Sequence, residues 1–127
     1  MDTLVVMNRL KLGKPGSEEE ARAMLHLLSG RTHEVMTGVA IRWKDRMVSG
    51  VAMTEVEFRR VSEKEIDWYV ATAEPYDKAG AYAIQGLGRI FINRINGCYY
   101  NVVGFPLTLF QILLKRLKLS ILQLQRA

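Results

Sequence analysis

The sequence predicts an α/β fold in which a mixed sheet is flanked by helices, and three observations carry that prediction. Segments with the apolar runs or the alternation of strands lie at residues 2–8, 31–44 and 47–60. Two segments with helical periodicity, 17–30 and 62–72, each open on a Ser followed three residues later by a Glu. With one more strand and a last helix, the order becomes β, α, β-hairpin, α, β, α, which indicates a mixed sheet flanked by helices.

The chain opens with a predicted strand and a predicted helix. Residues 4–7 are apolar without interruption, which is typical of a buried strand. Residues 9–16 are interpreted as a loop. The helix then begins after Ser17, whose spacing to Glu20 matches a capping box, and it ends at Gly30, a residue that commonly terminates helices.

The middle of the chain is predicted to be a hairpin followed by a helix. Residues 31–44 and 47–60 form its two strands, with a turn at Asp45-Arg46, and TEVEF within the second strand alternates as a half-solvated strand does. Ser62 and Glu65 match a second capping box, which predicts the helix that follows.

The last third begins with EPYDKAGAYAIQGLG, residues 74–88, which is rich in small residues and is predicted to be compact. Residues 89–95 (RIFINRI) are interpreted as a strand and the following NG as a turn. Pro106 suits the first position of a last helix that runs to about Leu119.

Size and composition predict a single domain spanning 1–127. Cys98 is the only cysteine, so a disulfide framework is excluded, and a reducing, cytoplasmic setting is expected. The charge of +5 favours anionic partners. We expect no nucleic-acid partner, because a recognition helix and interleaved basic and aromatic strands are missing from the pattern. We expect no membrane partner either, since no uncharged apolar run approaches about 20 residues.

Asp2 and Lys14 are the first candidates for chemistry. Asp2 begins a strand at the rim of the predicted sheet, where it could bind a divalent metal or act as a general base on water; the alternative is an ordinary capping aspartate. Lys14 precedes a helix N-terminus, a position that attracts phosphate, although a solvated loop lysine is the commoner case.

The remaining candidates lie further along the chain. Arg31 leaves the first helix for a strand and could bind phosphate bidentately, whereas the neighbouring His33 is interpreted as structural or as a surface residue. Asp77, Lys78 and Gln85 are the polar members of the 74–88 segment. Asp77 and Lys78 could simply pair with each other, and a buried Gln85 amide would suit the edge of a base, since it both donates and accepts.

Several of these segments, taken in order, resemble one family. DTLVV, LGKP, EEEARAMLHLLSGRTHEVMTGVAI, TEVEF, EIDWYV, EPYDKAGAYAIQGLG and INRINGCYYNVVGFPL closely resemble the Maf family of nucleoside triphosphate pyrophosphatases, also described as septum-formation inhibitors, over about residues 2–115. The form DKAGAYAIQGLG is similar to the dTTP/UTP pyrophosphatase branch. The resemblance implies a fold like that of inosine triphosphate pyrophosphatase, and hydrolysis of dTTP and UTP to the monophosphate and pyrophosphate with Mg or Mn.

The resemblance also implies roles for individual residues. Asp2 matches the catalytic aspartate that accepts a proton from the attacking water, and it is also the implied metal ligand. Thr3 and Gln85 match positions linked to base selection. The matched lysine of the pocket, Lys14, is implied on phosphate, and Asp77 and Lys78 match a pair lining the site. A homodimer is the implied assembly.

Family members also carry a preceding segment with an S-x-S-P-R-R type loop, so the resemblance implies a chain that lacks about the first third of the family domain. From this we expect weak or no hydrolysis by the 127 residues. The alternative function is a non-catalytic protein that binds nucleotides or cell-division partners.

Overall fold

The computed structural model describes residues 2–124, so Met1 and residues 125–127 of the predicted single domain lie outside the described residues. A five-stranded sheet has the order β2-β1-β3-β4-β5. Its strands are β1 (Asp2–Met7), β2 (Leu10–Leu12), β3 (Thr32–Trp43), β4 (Arg46–Phe58) and β5 (Ile92–Asn96). The predicted α/β class, a sheet flanked by helices, is confirmed. The prediction that the sheet is mixed was wrong, because the four pairings between these strands are all antiparallel.

The first strand differs from its prediction in burial. Val5 and Met7 are buried, but Leu4 is 37% exposed and Val6 is only partly buried, so β1 alternates instead of being buried throughout. The predicted loop 9–16 also contains β2, which joins β1 through a tight turn. Asn8 and Arg9 both have positive φ there, 50° and 67°, as in the mirror-image turns that match strand twist. Arg9 occupies a position where Gly is usual, so the sequence did not signal this hairpin.

β3 and β4 form the predicted hairpin, with the turn at Lys44-Asp45, one residue earlier than expected. Alternate residues of both strands, such as Val35, Val56 and Phe58, are buried against the helices. The intervening residues of β4 point the other way, and Val51 and Met53 are 62% and 56% exposed. The helices therefore cover one face of the sheet.

Helices α1 (Glu18–Leu28) and α2 (Glu63–Val70) pack against each other, and Arg22 of α1 is paired with Asp67 of α2. The capping box of Ser62 and Glu65 is confirmed. At α1 only half of the box forms: Ser17 accepts from the Glu20 N–H, but the Glu20 carboxylate accepts from the Gly16 N–H instead of the Ser17 N–H.

Residues 74–91 form three short 3₁₀ helices (Glu74–Asp77, Ala79–Ala81 and Leu87–Phe91), and β5 follows them at Ile92 instead of beginning at 89. The remaining helices are α3 (Tyr99–Val103), α4 (Leu107–Arg116) and α5 (Ile121–Leu124). Pro106 lies just before α4, and α4 ends three residues before the predicted Leu119. Across residues 2–124, every helix is too short or too polar to span a bilayer.

Candidate functional site

A cleft of about 380 Å³ lies where β1 meets the loop after β2, the 74–88 segment and the end of α3. Its size falls in the usual range of ligand pockets, roughly 300–1,000 Å³. The charged or polar residues that line it are Asp2, Thr3, Lys14, Asp77, Lys78 and Tyr82. Five of the seven site residues predicted from the sequence are therefore brought together, although they are spread over 77 positions of the chain.

The β1 side of the cleft carries Asp2 and Thr3. Asp2 pairs with Gly38 of β3, and its side chain is exposed. The Thr3 hydroxyl lies 3.0 Å from the hydroxyl of its pairing partner Thr37, which is fully buried. Strand pairing thus fixes the backbone position of Asp2, while its carboxylate faces solvent and the cleft.

Lys14 reaches the cleft through the loop that follows β2. The backbone of this loop is joined to the 74–88 segment, because the Gly80 N–H donates to the Gly13 carbonyl at 3.1 Å. Lys14 is exposed and makes no ion pair within the part of the chain that the structure describes. It therefore offers an uncompensated positive charge to an anion in the cleft.

The opposite side is formed by residues 74–88, here called the cleft loop. Lys78 Nζ lies 3.5 Å from Asp77 Oδ2, and both side chains are largely exposed, so the pair stabilises the fold very little. The anticipated alternative, a mutual salt bridge, is thus present, but it leaves Lys78 facing the cleft. Lys78 also lines a smaller adjoining cavity of about 70 Å³ together with Gln85.

Two predicted site residues stand apart from the main cleft. Gln85 lines the adjoining cavity and is exposed, so the expectation of a buried amide was wrong. Arg31 lies just before β3, seven residues from Gly38, the partner of Asp2, which corresponds to roughly 20 Å along a strand. The Arg31 side chain is exposed and lines neither cavity.

Tyr82 lines both cavities and was missed in the sequence. Its hydroxyl lies 2.6 Å from Nε2 of His33, which is 1% exposed, and the two rings meet edge to face. Burial lowers the pKa of His33 to about 4, so the ring is neutral near pH 7. Burial also raises the pKa of the Tyr82 hydroxyl. The structural interpretation of His33 is confirmed, and its contact with Tyr82 depends on a pairing that no local pattern reveals.

The third side of the cleft is the end of α3, with Val102, Val103 and Gly104. Asn101 anchors this helix: it is fully buried, and its side-chain amide donates to the Val35 carbonyl and to the Thr54 hydroxyl, both at 3.0 Å. The apolar part of the cleft is therefore attached to β3 and β4.

A second depression, of about 430 Å³, also begins at Asp2. Beyond Asp2 it is lined by Gly38–Ala40 and Ser49–Val51, which bring no further charge. The cleft between β1 and the cleft loop is the better candidate, despite its slightly smaller volume, because it alone of the two combines carboxylates, lysines and an aromatic ring.

The carboxylates of the cleft allow one kind of metal binding. Residues 2–124 contain no group of three or more His, Cys, Asp or Glu side chains placed to hold an ion. The cleft offers Asp2 and Asp77. Mg²⁺ is commonly held by one or two carboxylates together with substrate phosphates and water. These residues fit an ion that is shared with a triphosphate, and they do not fit a cage built by the protein alone.

Comparison with known proteins matches this chain to one family. The sequence model of the family described as Maf-like protein matches residues 1–117. A dTTP/UTP pyrophosphatase of Bacillus cereus is 56% identical over 106 residues, which cover 84% of this chain and 56% of the relative. A dTTP/UTP pyrophosphatase of Thermococcus onnurineus is 58% identical over 106 residues, covering 84% of this chain and 58% of the relative. The chain thus spans a little over half the length of these curated relatives.

Proposed function

This chain belongs to the family of Maf-like proteins, and from that premise we propose that it acts as a nucleoside triphosphate pyrophosphatase on dTTP and UTP. The supporting observation is that Asp2, Lys14 and Lys78 line one cleft. A carboxylate that can accept a proton and lysines that can bind phosphate are what this hydrolysis requires. The names of the two relatives described above support the choice of dTTP and UTP.

In the proposed reaction, water attacks the α-phosphorus and the bond to the bridging oxygen of the β-phosphate breaks. The products are the monophosphate and pyrophosphate. Asp2 accepts the proton of the attacking water, a role that its exposed position at the cleft allows. Lys14 and Lys78 offset the negative charge that develops on the departing pyrophosphate.

The opposite end of the cleft would accommodate the base. Tyr82 offers an aromatic ring where the two cavities meet, and Gln85 offers an amide that can both donate and accept. Thr3 is proposed to contribute to base selection from the β1 side. The role of Arg31 as a phosphate ligand stays a prediction from the sequence. The proposed reaction in the cleft does not use Arg31.

A divalent cation, Mg²⁺ or Mn²⁺, is part of the proposal as a companion of the triphosphate. Asp2 is the carboxylate proposed to hold it, and Asp77 lines the same cleft. When bound, such an ion neutralises phosphate charge. The homodimer and the cytoplasmic setting stay predictions.

The test is pyrophosphate release from dTTP, UTP and GTP with Mg²⁺ or Mn²⁺, for the wild-type chain and for Asp2→Asn. We expect dTTP and UTP turnover to exceed GTP turnover. Loss of the general base should reduce turnover by about a hundredfold or more. Asn keeps the size of Asp, so the unfolding midpoint should stay unchanged.

Wild-type chain that is folded, binds dTTP and releases no pyrophosphate would favour the alternative predicted from the sequence, a non-catalytic nucleotide binder. Equal turnover by wild type and Asp2→Asn would remove Asp2 from its proposed role.

A further inference from the structure

Glu74 occupies an unusual place at the start of the cleft loop. Its carboxylate accepts hydrogen bonds from the backbone N–H groups of Leu87 and Gly88, both at 2.9 Å. These partners lie 13 and 14 residues further along the chain, at the end of the same loop. One side chain therefore closes a loop that begins at Glu74 and carries Lys78 and Gln85 between its ends.

Tyr69 extends this closure to the middle of the loop. Its hydroxyl donates to Glu74 Oε2 at 2.5 Å and accepts from the Ala83 N–H at 3.0 Å. Tyr69 lies in α2 and is fully buried, so the carboxylate is tied to the core as well as to the loop. Loops closed in this way by their own side chains are compact and often functional.

Gly86, near the end of the loop, leaves the space that the Glu74 carboxylate occupies. A Cβ added at Gly86 would lie 1.9 Å from Glu74 Oε1, so any larger residue there would displace the carboxylate. Although burial acts to raise the pKa of Glu74, hydrogen bonds from the Tyr69 hydroxyl and from the Leu87 and Gly88 N–H groups outweigh it and hold the pKa below its ordinary value. Glu74 is thus an ionised side chain near neutral pH, stabilised by these hydrogen-bond donors and by the positive charge of Lys78.

We propose that Glu74 is a positioning residue for nucleotide binding, one that sets where Lys78 and Gln85 stand in the cleft. This inference rests on the proposed function. The new claim is that base selection and phosphate contact on the loop side both depend on the Glu74 carboxylate, although Glu74 lines neither cavity. Asp2 and Lys14 lie on the other side of the cleft and are not held by Glu74.

The first variant is Glu74→Gln, with Glu19→Gln as the matched control on the exposed first turn of α1. A glutamine has one oxygen where glutamate has two, so its NH₂ group would face a backbone N–H or the Tyr69 hydroxyl. We expect Glu74→Gln to raise KM for dTTP about tenfold and to reduce the preference for dTTP over GTP by a similar factor. Because Asp2 is not displaced, kcat should fall by about tenfold at most, through the displaced Lys78, which is far less than in Asp2→Asn, and Glu19→Gln should match wild type.

Gly86→Ala tests the same contact from the other side, since its Cβ would occupy the position of the carboxylate. If both substitutions act through that contact, the double variant should be no worse than the poorer single variant. Additive effects on KM would overturn the proposal. So would a Glu74→Gln protein with the KM and base preference of wild type, or one that loses kcat alone.

If Glu74→Gln does not fold, Tyr69→Phe replaces it, because it removes one donor and leaves both backbone hydrogen bonds in place. A smaller rise of KM in the same direction supports the proposal, and an unchanged KM overturns it. If wild-type chain shows no turnover, binding of the non-hydrolysable α,β-methylene dTTP is measured by calorimetry. Binding that is about tenfold weaker in Glu74→Gln would then support the positioning role of Glu74, even though the proposed hydrolysis has failed. Absence of binding by the wild-type chain would overturn both the positioning role and the proposed function.

Discussion

The two sides of the cleft are built in different ways. On the loop side, Gly80, Ala81 and Tyr82 are buried, and hydrogen bonds to Glu74, Tyr69 and Gly13 fix the backbone. On the β1 side, Asp2 and Lys14 are exposed, and among residues 2–124 their side chains make no hydrogen bond or ion pair. The loop side therefore has a fixed shape, whereas the β1 side presents charged groups that adapt.

With the exceptions of Lys78 and Thr3, the proposed roles follow this difference, with base recognition on the loop side and phosphate chemistry on the β1 side. Recognition of a base depends on shape and on hydrogen bonds held in place, because discrimination fails when the groups can move. Lysine is a compact charge on a flexible chain, so contact with phosphate tolerates movement better. Substitutions on the loop side should thus cost folding stability, and substitutions on the β1 side should leave it nearly unchanged.

The largest expected effect on stability involves His33, which supports Tyr82 on the loop side. The folded protein keeps His33 neutral down to a pKa of about 4, while an unfolded histidine binds its proton near 6.5. The unfolded state therefore binds more protons between these values, and stability is lost as pH falls through that window. The loss should reach roughly 3 kcal/mol, measured by urea unfolding between pH 7.5 and 4.

The controls for this effect are His33→Gln and His26→Gln. His33→Gln cannot titrate and should lose less stability than wild type over the same window. His26→Gln replaces an exposed histidine beside Glu63 and serves as the matched control for the substitution itself. Parallel curves for wild type and His33→Gln would show that another group causes the acid sensitivity.

The next effect compares one glycine from each side of the cleft. A Cβ at Gly88 would lie 2.9 Å from the Ala83 carbonyl oxygen and 2.8 Å from the Tyr69 hydroxyl, whereas a Cβ at Gly13 would meet nothing within 4 Å. Gly88→Ala should lower the free energy of unfolding by about 2 kcal/mol, because backbone atoms cannot move aside. Gly13→Ala should be neutral or stabilise by up to about 1 kcal/mol, since alanine restricts the unfolded chain.

Chemical denaturation of both glycine variants measures these values. Equal losses for Gly88→Ala and Gly13→Ala would mean that the two sides of the cleft are equally rigid, and the comparison would have to be abandoned.

The smallest effect concerns Thr3, the one well-bonded side chain on the β1 side. Thr3→Val has nearly the same shape but leaves the buried Thr37 hydroxyl without its partner at 3.0 Å. We expect a loss of about 1 kcal/mol. Thr32→Val, at an exposed position of β3, should change stability by less than about 0.5 kcal/mol. If Thr3→Val were as stable as Thr32→Val, the Thr3 hydroxyl would contribute no stability, and Thr3 would resemble Asp2 and Lys14 in this respect.

Sequence reasoning located most of the elements and most of the proposed site. The capping box at Ser62, the hairpin of β3 and β4, and the gathering of Asp2, Lys14 and Lys78 follow patterns that can be read locally or by resemblance. The β1–β2 hairpin was not predicted, because Arg9 takes a positive φ that its residue type does not signal. The exposure of Gln85 was not predicted, because the surrounding glycines and alanines suggested that its side chain is buried.

By itself the sequence determined the class of the fold, the family and the residue types available for phosphate chemistry, because periodicity, capping and motif are properties of neighbouring residues. Only the tertiary structure decided which of those residues meet. Glu74 reaches Leu87 and Gly88, His33 meets Tyr82 and Asn101 holds α3 to the sheet, all through contacts between distant positions. Such contacts depend on how helices and strands pack around one core, and that packing is a property of the whole chain instead of any one segment.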